Sequence, residues 1–212
     1  IMPVEREFVS PEMVVLGTKI ACAEMIRCGT TTFADMYYFE EHIAKATAEA
    51  GMRAICAESV LKFPSPDAQF YEESLTRTRT FIEQYHNHPL IVPAIAPHAP
   101  YTCTPEILQA CASIAREFDV PLMIHLAETA WEVDGLRAEH GVPVIPYIKR
   151  HHLLDTKLIG AHLVHIDEGE IRDLAKYGCG GVHNPSSNMK LASGTAPVTK
   201  MVELNMNVGI GT

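Results

Sequence analysis

Histidines fall at four places where an apolar run gives out. Ile95-Ala96-Pro97 leads to His98, Leu122-Met123-Ile124 to His125, Leu158-Ile159-Gly160-Ala161 to His162, and Gly180-Gly181-Val182 to His183. A carboxylate, Glu128, follows His125 by three residues. A single histidine in such a place is ordinarily a core or loop residue with its hydrogen bonds satisfied. Four in register are harder to place in an ordinary core, because each buried imidazole needs a partner of its own. Imidazoles gathered beside one carboxylate are what a metal site with an acid–base group requires: neutral ring nitrogens as ligands, and a carboxyl able to take and return a proton. The other histidines carry less. His42, His86, His88, His140, His151 and His152 sit in polar surroundings or at a helix end, where a partly positive ring suits the helix dipole. His165 reads as a loop or outer-shell residue, three positions past His162.

The elements that must hold these residues alternate. Short, continuous apolar runs at 31–34, 54–57, 91–95, 122–125, 158–161, 181–183 and 207–210 read as strands buried on both faces. Helical stretches lie between them. Ser10-Pro11-Glu12 opens one that runs to about Arg27, and Thr104 can cap another with Pro105 at its first position. Ile107, Leu108, Cys111, Ile114, Ala115 and Phe118 then recur at helical spacing. The stretches from Glu40 to Ala50 and from Glu168 to Tyr177 each stop at a glycine, Gly51 and Gly178, as helix C-termini do. Strand–helix alternation predicts an α/β fold with parallel strands and right-handed crossovers. An open doubly wound sheet is the plain alternative to a barrel, but no Gly-x-Gly-x-x-Gly turn follows a strand. In a barrel, catalytic groups come from the C-terminal ends of different strands, which is where the four histidines fall.

Composition narrows the function classes. The sequence has 212 residues, 47% apolar and 20% charged, which excludes a disordered chain and suggests one large domain or part of one. A net charge of −9 with only 17 Lys and Arg argues against a nucleic-acid partner. No apolar run approaches the roughly 18–20 residues that span a bilayer, so no membrane partner is expected. Six cysteines without a Cys-x-x-Cys pair fit reduced thiols in a cytoplasmic protein.

The segments Pro97-His98-Ala99-Pro100-Tyr101, His125-Leu126-Ala127-Glu128-Thr129, Ala161-His162-Leu163-Val164-His165 and His183 to Leu191 resemble the amidohydrolase superfamily in their order and spacing. Gly29 to Tyr37 is similar to the same group, and the likeness runs from about Pro3 to Thr212. It is strongest to the S-adenosylhomocysteine / 5-methylthioadenosine deaminase branch, with guanine deaminase and the triazine chlorohydrolases as relatives. The resemblance implies a metal-dependent-hydrolase TIM (β/α)8 barrel, of which residues 1–212 would supply strands two to eight, with a flanking β-sandwich outside the chain. It implies one divalent metal, most often zinc, with His125 as a ligand. The family's His-x-His pair would precede Ile1, and its aspartate ligand would follow Gly211-Thr212.

The resemblance also implies roles. Glu128 is similar to the glutamate that moves a proton to a ring nitrogen of the substrate and contacts it. His162 resembles the histidine that orients the attacking, metal-activated water. His98 resembles a substrate-contacting histidine, and Glu5 a glutamate that binds ribose hydroxyls. His183 has no ligand role in the family and would brace the rim with Asn184 and Asn188, while Asp35 would be structural. One departure stands out: Glu58 lies about where nucleoside deaminases of this branch often carry a substrate-binding arginine. The implied activity is hydrolytic deamination of an adenosine-type nucleoside. Guanine or cytosine deamination and triazine dechlorination are the alternatives within the superfamily, and a non-catalytic binding homologue is the alternative outside it. The expected partners are a small-molecule substrate and further copies of the chain in a homo-oligomer.

Overall fold

The computed structural model describes residues 2–212, which divide into two compact units, 2–96 and 97–212. The first unit holds α1 (Met2–Phe8), α2 (Pro11–Arg27), β1 (Thr32–Tyr37), α3 (Glu40–Glu49), β2 (Arg53–Val60), α4 (Tyr71–Tyr85) and β3 (Ile91–Pro97), which reaches the first residue of the second. Its strands lie in the order β1-β2-β3, and β1 runs parallel to β2 with Asp35 opposite Cys56. The start of α2 forms as its sequence predicts: Pro11 occupies the first turn and the Ser10 hydroxyl accepts from Met13 N–H at 3.3 Å. Between α3 and β2 the chain reverses through Gly51 at φ +76°, a left-handed conformation that favours glycine. Ile43 and Ala44 of α3, Phe81 and Tyr85 of α4, and Ala54 and Cys56 of β2 share one apolar cluster with Val14 and Ile91.

The second unit holds α5 (Pro105–Glu117), β4 (Pro121–Leu126), α6 (Ala130–His140), α7 (Val144–Arg150), β5 (Lys157–His162), α8 (Glu168–Lys176), β6 (Gly180–His183), α9 (Pro185–Lys190), α10 (Val198–Glu203) and β7 (Asn207–Ile210). Its strand order is β4-β5-β6-β7, and every registered pair is parallel. Thr104 caps α5 as predicted, its hydroxyl accepting from Ile107 N–H at 3.4 Å. Asp167 and Glu170 close a reciprocal capping box on α8, which ends before Gly178 at φ +71°. Ile107, Leu108 and Cys111 of α5 are fully buried with Leu122 and Ile124 of β4. Parallel strands in chain order with helices between them make this an α/β fold.

All seven expected strands form, with two differences. First, β1 and β2 run on to Tyr37 and Val60, well past the apolar runs that announced them. Both strands continue through acidic residues, Asp35 half-buried in β1 and Glu58 buried in β2, which an apolar-run reading cannot anticipate. Glu58 is 1% exposed; its carboxylate accepts from Glu40 N–H at 3.2 Å and lies 3.4 Å from the Arg77 guanidinium. Arg77 also reaches Glu41 at 3.0 Å and Asp67 at 3.7 Å. Burial pushes the Asp35, Glu40 and Glu58 carboxyls above their usual range. Second, burial on both faces holds for β2 and β3 but not for β1, which alternates exposed and half-buried residues, nor for β7, which is mostly exposed.

Candidate active site

The candidate residues of the second unit come from successive strand ends. His98 lies one residue past β3, His125 is the penultimate residue of β4, and His162 and His183 close β5 and β6. The ring centroids of His98 and His125 are 4.8 Å apart, and those of His125 and His162 5.4 Å apart. Glu128 lies in the turn after β4, with its Oε2 3.7 Å from His162 Nε2. Of the four strand-end histidines and Glu128 that sequence analysis grouped, His98, His125, His162 and Glu128 are therefore neighbours in space. Glu5 belongs to the other unit, where it is half-buried on α1 and accepts from the Tyr37 hydroxyl at 3.2 Å. Burial and the neighbouring Glu5 carboxylate push the Tyr37 phenol up to about 12.

The three histidine rings are held in the same way. His125 Nδ1 lies 2.8 Å from the His98 carbonyl, which can only accept, so Nδ1 carries the proton. His162 Nδ1 lies 2.7 Å from Asn188 Oδ1, an amide oxygen, and therefore also donates. His98 Nδ1 lies 3.0 Å from the Thr102 hydroxyl, whose own proton goes to the Ala99 carbonyl. That hydroxyl therefore accepts from His98. Each ring is fixed through Nδ1–H, which leaves Nε2 as the nitrogen not engaged by that bond. Burial lowers the pKa of both His98 and His125, His98 to about 3, so both rings are neutral near pH 7. A neutral ring whose far nitrogen donates to a carbonyl is the usual state of a metal-ligating histidine. His125 fits one ligand position in this respect. Among the described residues, no group of three or more His, Cys, Asp or Glu side chains could hold a metal by itself.

The turns that carry these groups are strained. Ala127 has φ +50°, and His162 and Leu163 follow at +74° and +51°. Left-handed conformations in residues other than glycine cost about 1–3 kcal/mol each and persist only where neighbours impose them. Here the two turns impose them on each other. The Ala127 carbonyl accepts from Val164 N–H at 3.0 Å and His165 N–H at 2.9 Å, and the Leu126 carbonyl accepts from Leu163 N–H at 2.9 Å. His165 is itself a loop residue, its ring 2.8 Å from the Ser193 carbonyl.

Two contributors were only partly legible beforehand. Asn188, expected as a brace for His183, is bonded chiefly to His162, with His183 Nδ1 at a longer 3.5 Å from Asn188 Nδ2. Glu132 was missed. It is 2% exposed, and its two oxygens accept from Ala127 N–H at 3.0 Å and Glu128 N–H at 2.9 Å. Burial raises its pKa to about 7 against those two bonds. The Thr129-x-x-Glu132 spacing is a capping-box signature and was the available signal.

Known proteins share this framework. Residues 2–212 match the amidohydrolase family model. The chain is 45% identical over its whole length to 5-methylthioadenosine/S-adenosylhomocysteine deaminase of Syntrophobacter fumaroxidans, of which it covers 48%. It is 43% identical to the corresponding deaminase 1 of Syntrophus aciditrophicus, again over the whole chain and 48% of the relative. The chain thus spans about half the length of the curated relatives it matches. An adenosine deaminase of Xanthomonas campestris, crystallised with bound zinc, superposes with a TM-score of 0.96 at 36% identity, over 99% of this chain and 48% of that one. A guanine deaminase of C. acetobutylicum with bound guanine shares the fold, with a TM-score of 0.88 at 23% identity over 99% of this chain and 52% of the other. The family match over the described length, with the expected parallel strand order beneath it, places this chain in the amidohydrolase family.

Proposed function

We propose that this chain carries the proton-transfer residues of an aminohydrolase, and that the whole protein hydrolytically deaminates an adenosine-type nucleoside such as S-adenosylhomocysteine, 5-methylthioadenosine or 5′-deoxyadenosine. The observation that carries the reading is the pairing of Glu128 Oε2 with His162 Nε2 at 3.7 Å, beside a neutral His125 whose Nε2 is free. Identity of 45% to a 5-methylthioadenosine/S-adenosylhomocysteine deaminase supports the substrate class.

In this reading water adds to the amine-bearing ring carbon, ammonia leaves, and the ring keeps the oxygen as a carbonyl. Glu128 takes the proton that the attacking water loses and delivers it to the adjacent ring nitrogen. Protonation there draws electrons from the carbon under attack, and a second transfer lets the amine depart as ammonia. His162 presents its Nε2 lone pair to the attacking water, and Asn188 keeps the ring's proton on Nδ1. His98, neutral and with Nε2 free, accepts a hydrogen bond from the substrate, and Glu5 accepts from the ribose hydroxyls. His125 would hold a divalent metal through Nε2, with zinc favoured by the zinc-bound adenosine deaminase structure. Such an ion supplies Lewis acidity and lowers the pKa of water to near 7. The same reading makes the protein a cytoplasmic, homo-oligomeric enzyme of small molecules, with this chain as part of a barrel beside a β-sandwich.

The test is ammonia release by the full-length protein on those three nucleosides, with guanine and a triazine alongside. Turnover of a nucleoside is expected, with Glu128→Gln lowering kcat by about 10²–10⁴-fold while metal content is unchanged. Turnover of guanine or the triazine alone would refute the substrate class. Full activity in Glu128→Gln would refute the proton-transfer role.

A further inference from the structure

We propose that Glu132 is a positioning residue for this chemistry, holding the Glu128 turn in the one backbone conformation that faces Glu128 to His162. The inference rests on the proton-transfer reading of Glu128 given above.

Glu132 occupies the third position of α6, where a glutamate ordinarily reaches back to the residue that caps its helix. Thr129 is that cap, its hydroxyl accepting from Glu132 N–H at 3.2 Å. The carboxylate instead spends both oxygens further back in the chain, one on Ala127 N–H at 3.0 Å and the other on Glu128 N–H at 2.9 Å. Those two N–H groups belong to the turn that leaves β4, and Ala127 is the residue forced to φ +50°. A carboxyl group bonded through its two oxygens to two consecutive N–H groups fixes the peptide planes on both sides of Ala127, and with them the direction in which Cα–Cβ of Glu128 points. The carbonyl of the same Ala127 binds the turn that carries His162, through Val164 and His165 N–H. Glu132 thus closes a circuit. It fixes the Glu128 turn, that turn fixes the His162 turn, and the two side chains meet at 3.7 Å. With both oxygens committed to backbone, Glu132 touches no reacting atom itself.

Glu170 offers a comparison within the same protein. It too is a buried glutamate at the third position of its helix, but its Oε2 accepts from its own cap residue, Asp167 N–H, at 2.9 Å. Replacement of either glutamate removes a carboxyl acceptor from backbone N–H groups, but only the two bound by Glu132 belong to the Glu128 turn.

The experiment compares Glu132→Gln and Glu170→Gln in the full-length protein, measuring kcat, KM, metal content and Tm. Glutamine keeps the shape but offers one acceptor, and turns its NH2 against the second N–H. Glu132→Gln is expected to lower kcat by about 10²-fold, the loss typical of an angstrom-scale misplacement, with KM within about twofold and metal retained. Glu170→Gln is expected to lower Tm comparably while leaving kcat unchanged. The double variant Glu128→Gln/Glu132→Gln is expected to be no slower than Glu128→Gln, because Glu132 acts only through Glu128. Equal Tm losses with kcat preserved in both single variants would overturn the proposal. So would additive losses in the double variant, or failure of Glu132→Gln to fold, since each assigns the residue to general stability. If Glu128→Gln alone keeps full activity, the underlying reading fails instead, and that result is distinct from all of these.

Discussion

Asn188→Ala separates the two services that one buried amide performs. Asn188 is 1% exposed, and its Oδ1 accepts from His162 Nδ1–H at 2.7 Å. Alanine leaves that N–H buried without an acceptor, a penalty of about 1–3 kcal/mol. In a chain of this size each kcal/mol moves Tm by roughly 2–4 °C, so a fall of about 4–8 °C is expected for a loss near 2 kcal/mol. The catalytic consequence is separate and larger. Without the amide oxygen nothing holds the proton on Nδ1, and the ring can place it on Nε2, the nitrogen 3.7 Å from Glu128. The lone pair that the proposed reading gives to the attacking water is then lost, and kcat is expected to fall by about 10²-fold with metal content unchanged. The assay is ammonia release for kcat, thermal melting for Tm, and nitrogen NMR of the histidines for the tautomer. Asn188→Asp restores an acceptor and is expected to recover part of kcat. A variant that loses the full Tm increment but keeps kcat within about twofold would refute the reasoning, by showing that the amide only packs the rim.

Two further changes probe the framework. Gly181→Ala puts a Cβ 2.8 Å from Leu163 Cδ1 and 2.9 Å from Met206 Cε, so both side chains must shift; a loss of about 1–3 kcal/mol in denaturant titration is expected, and unchanged stability would show that the space exists. Glu40 has its carboxyl raised well above the ordinary value of 4.5, first by burial and then by Asp35 and Glu58. A raised carboxyl favours the folded state fully below pH 4.5, and that contribution is lost as pH rises through the raised value. Tm is therefore expected to fall with pH above 4.5, and Glu40→Gln to flatten that slope; an unchanged slope would place its origin elsewhere.

In the proposed reading His162 and Glu128 bring the proton chemistry and His125 a ligand nitrogen, while Glu58 stands about where the resemblance places an arginine. Glu58 is buried against Arg77, a residue 19 positions on, so a guanidinium is present but is committed to Glu58, Glu41 and Asp67.

What the sequence determined by itself is local. Continuous apolar runs located all seven strands, in β2 and β3 because burial on both faces leaves that trace in composition, whereas β1 and β7 carry the run without that burial. Ser10, Thr104 and Gly178 marked helix ends, because the orphan groups of a helix terminus are satisfied within three or four residues. Histidines in register at strand ends located the candidate site for the same reason: parallel strands in sequence order bring their C-terminal ends to one side. Tertiary structure alone decided the rest. Asn188 lies 26 residues from His162, and no periodicity links them; only the packed turns bring the amide to Nδ1 and so choose the nitrogen that is free to act. The strain at Ala127 and His162 is likewise invisible in a list of residue types, since neither is a glycine. It exists because two turns bond to each other and a buried glutamate holds one of them, and these are contacts between segments that only folding brings together.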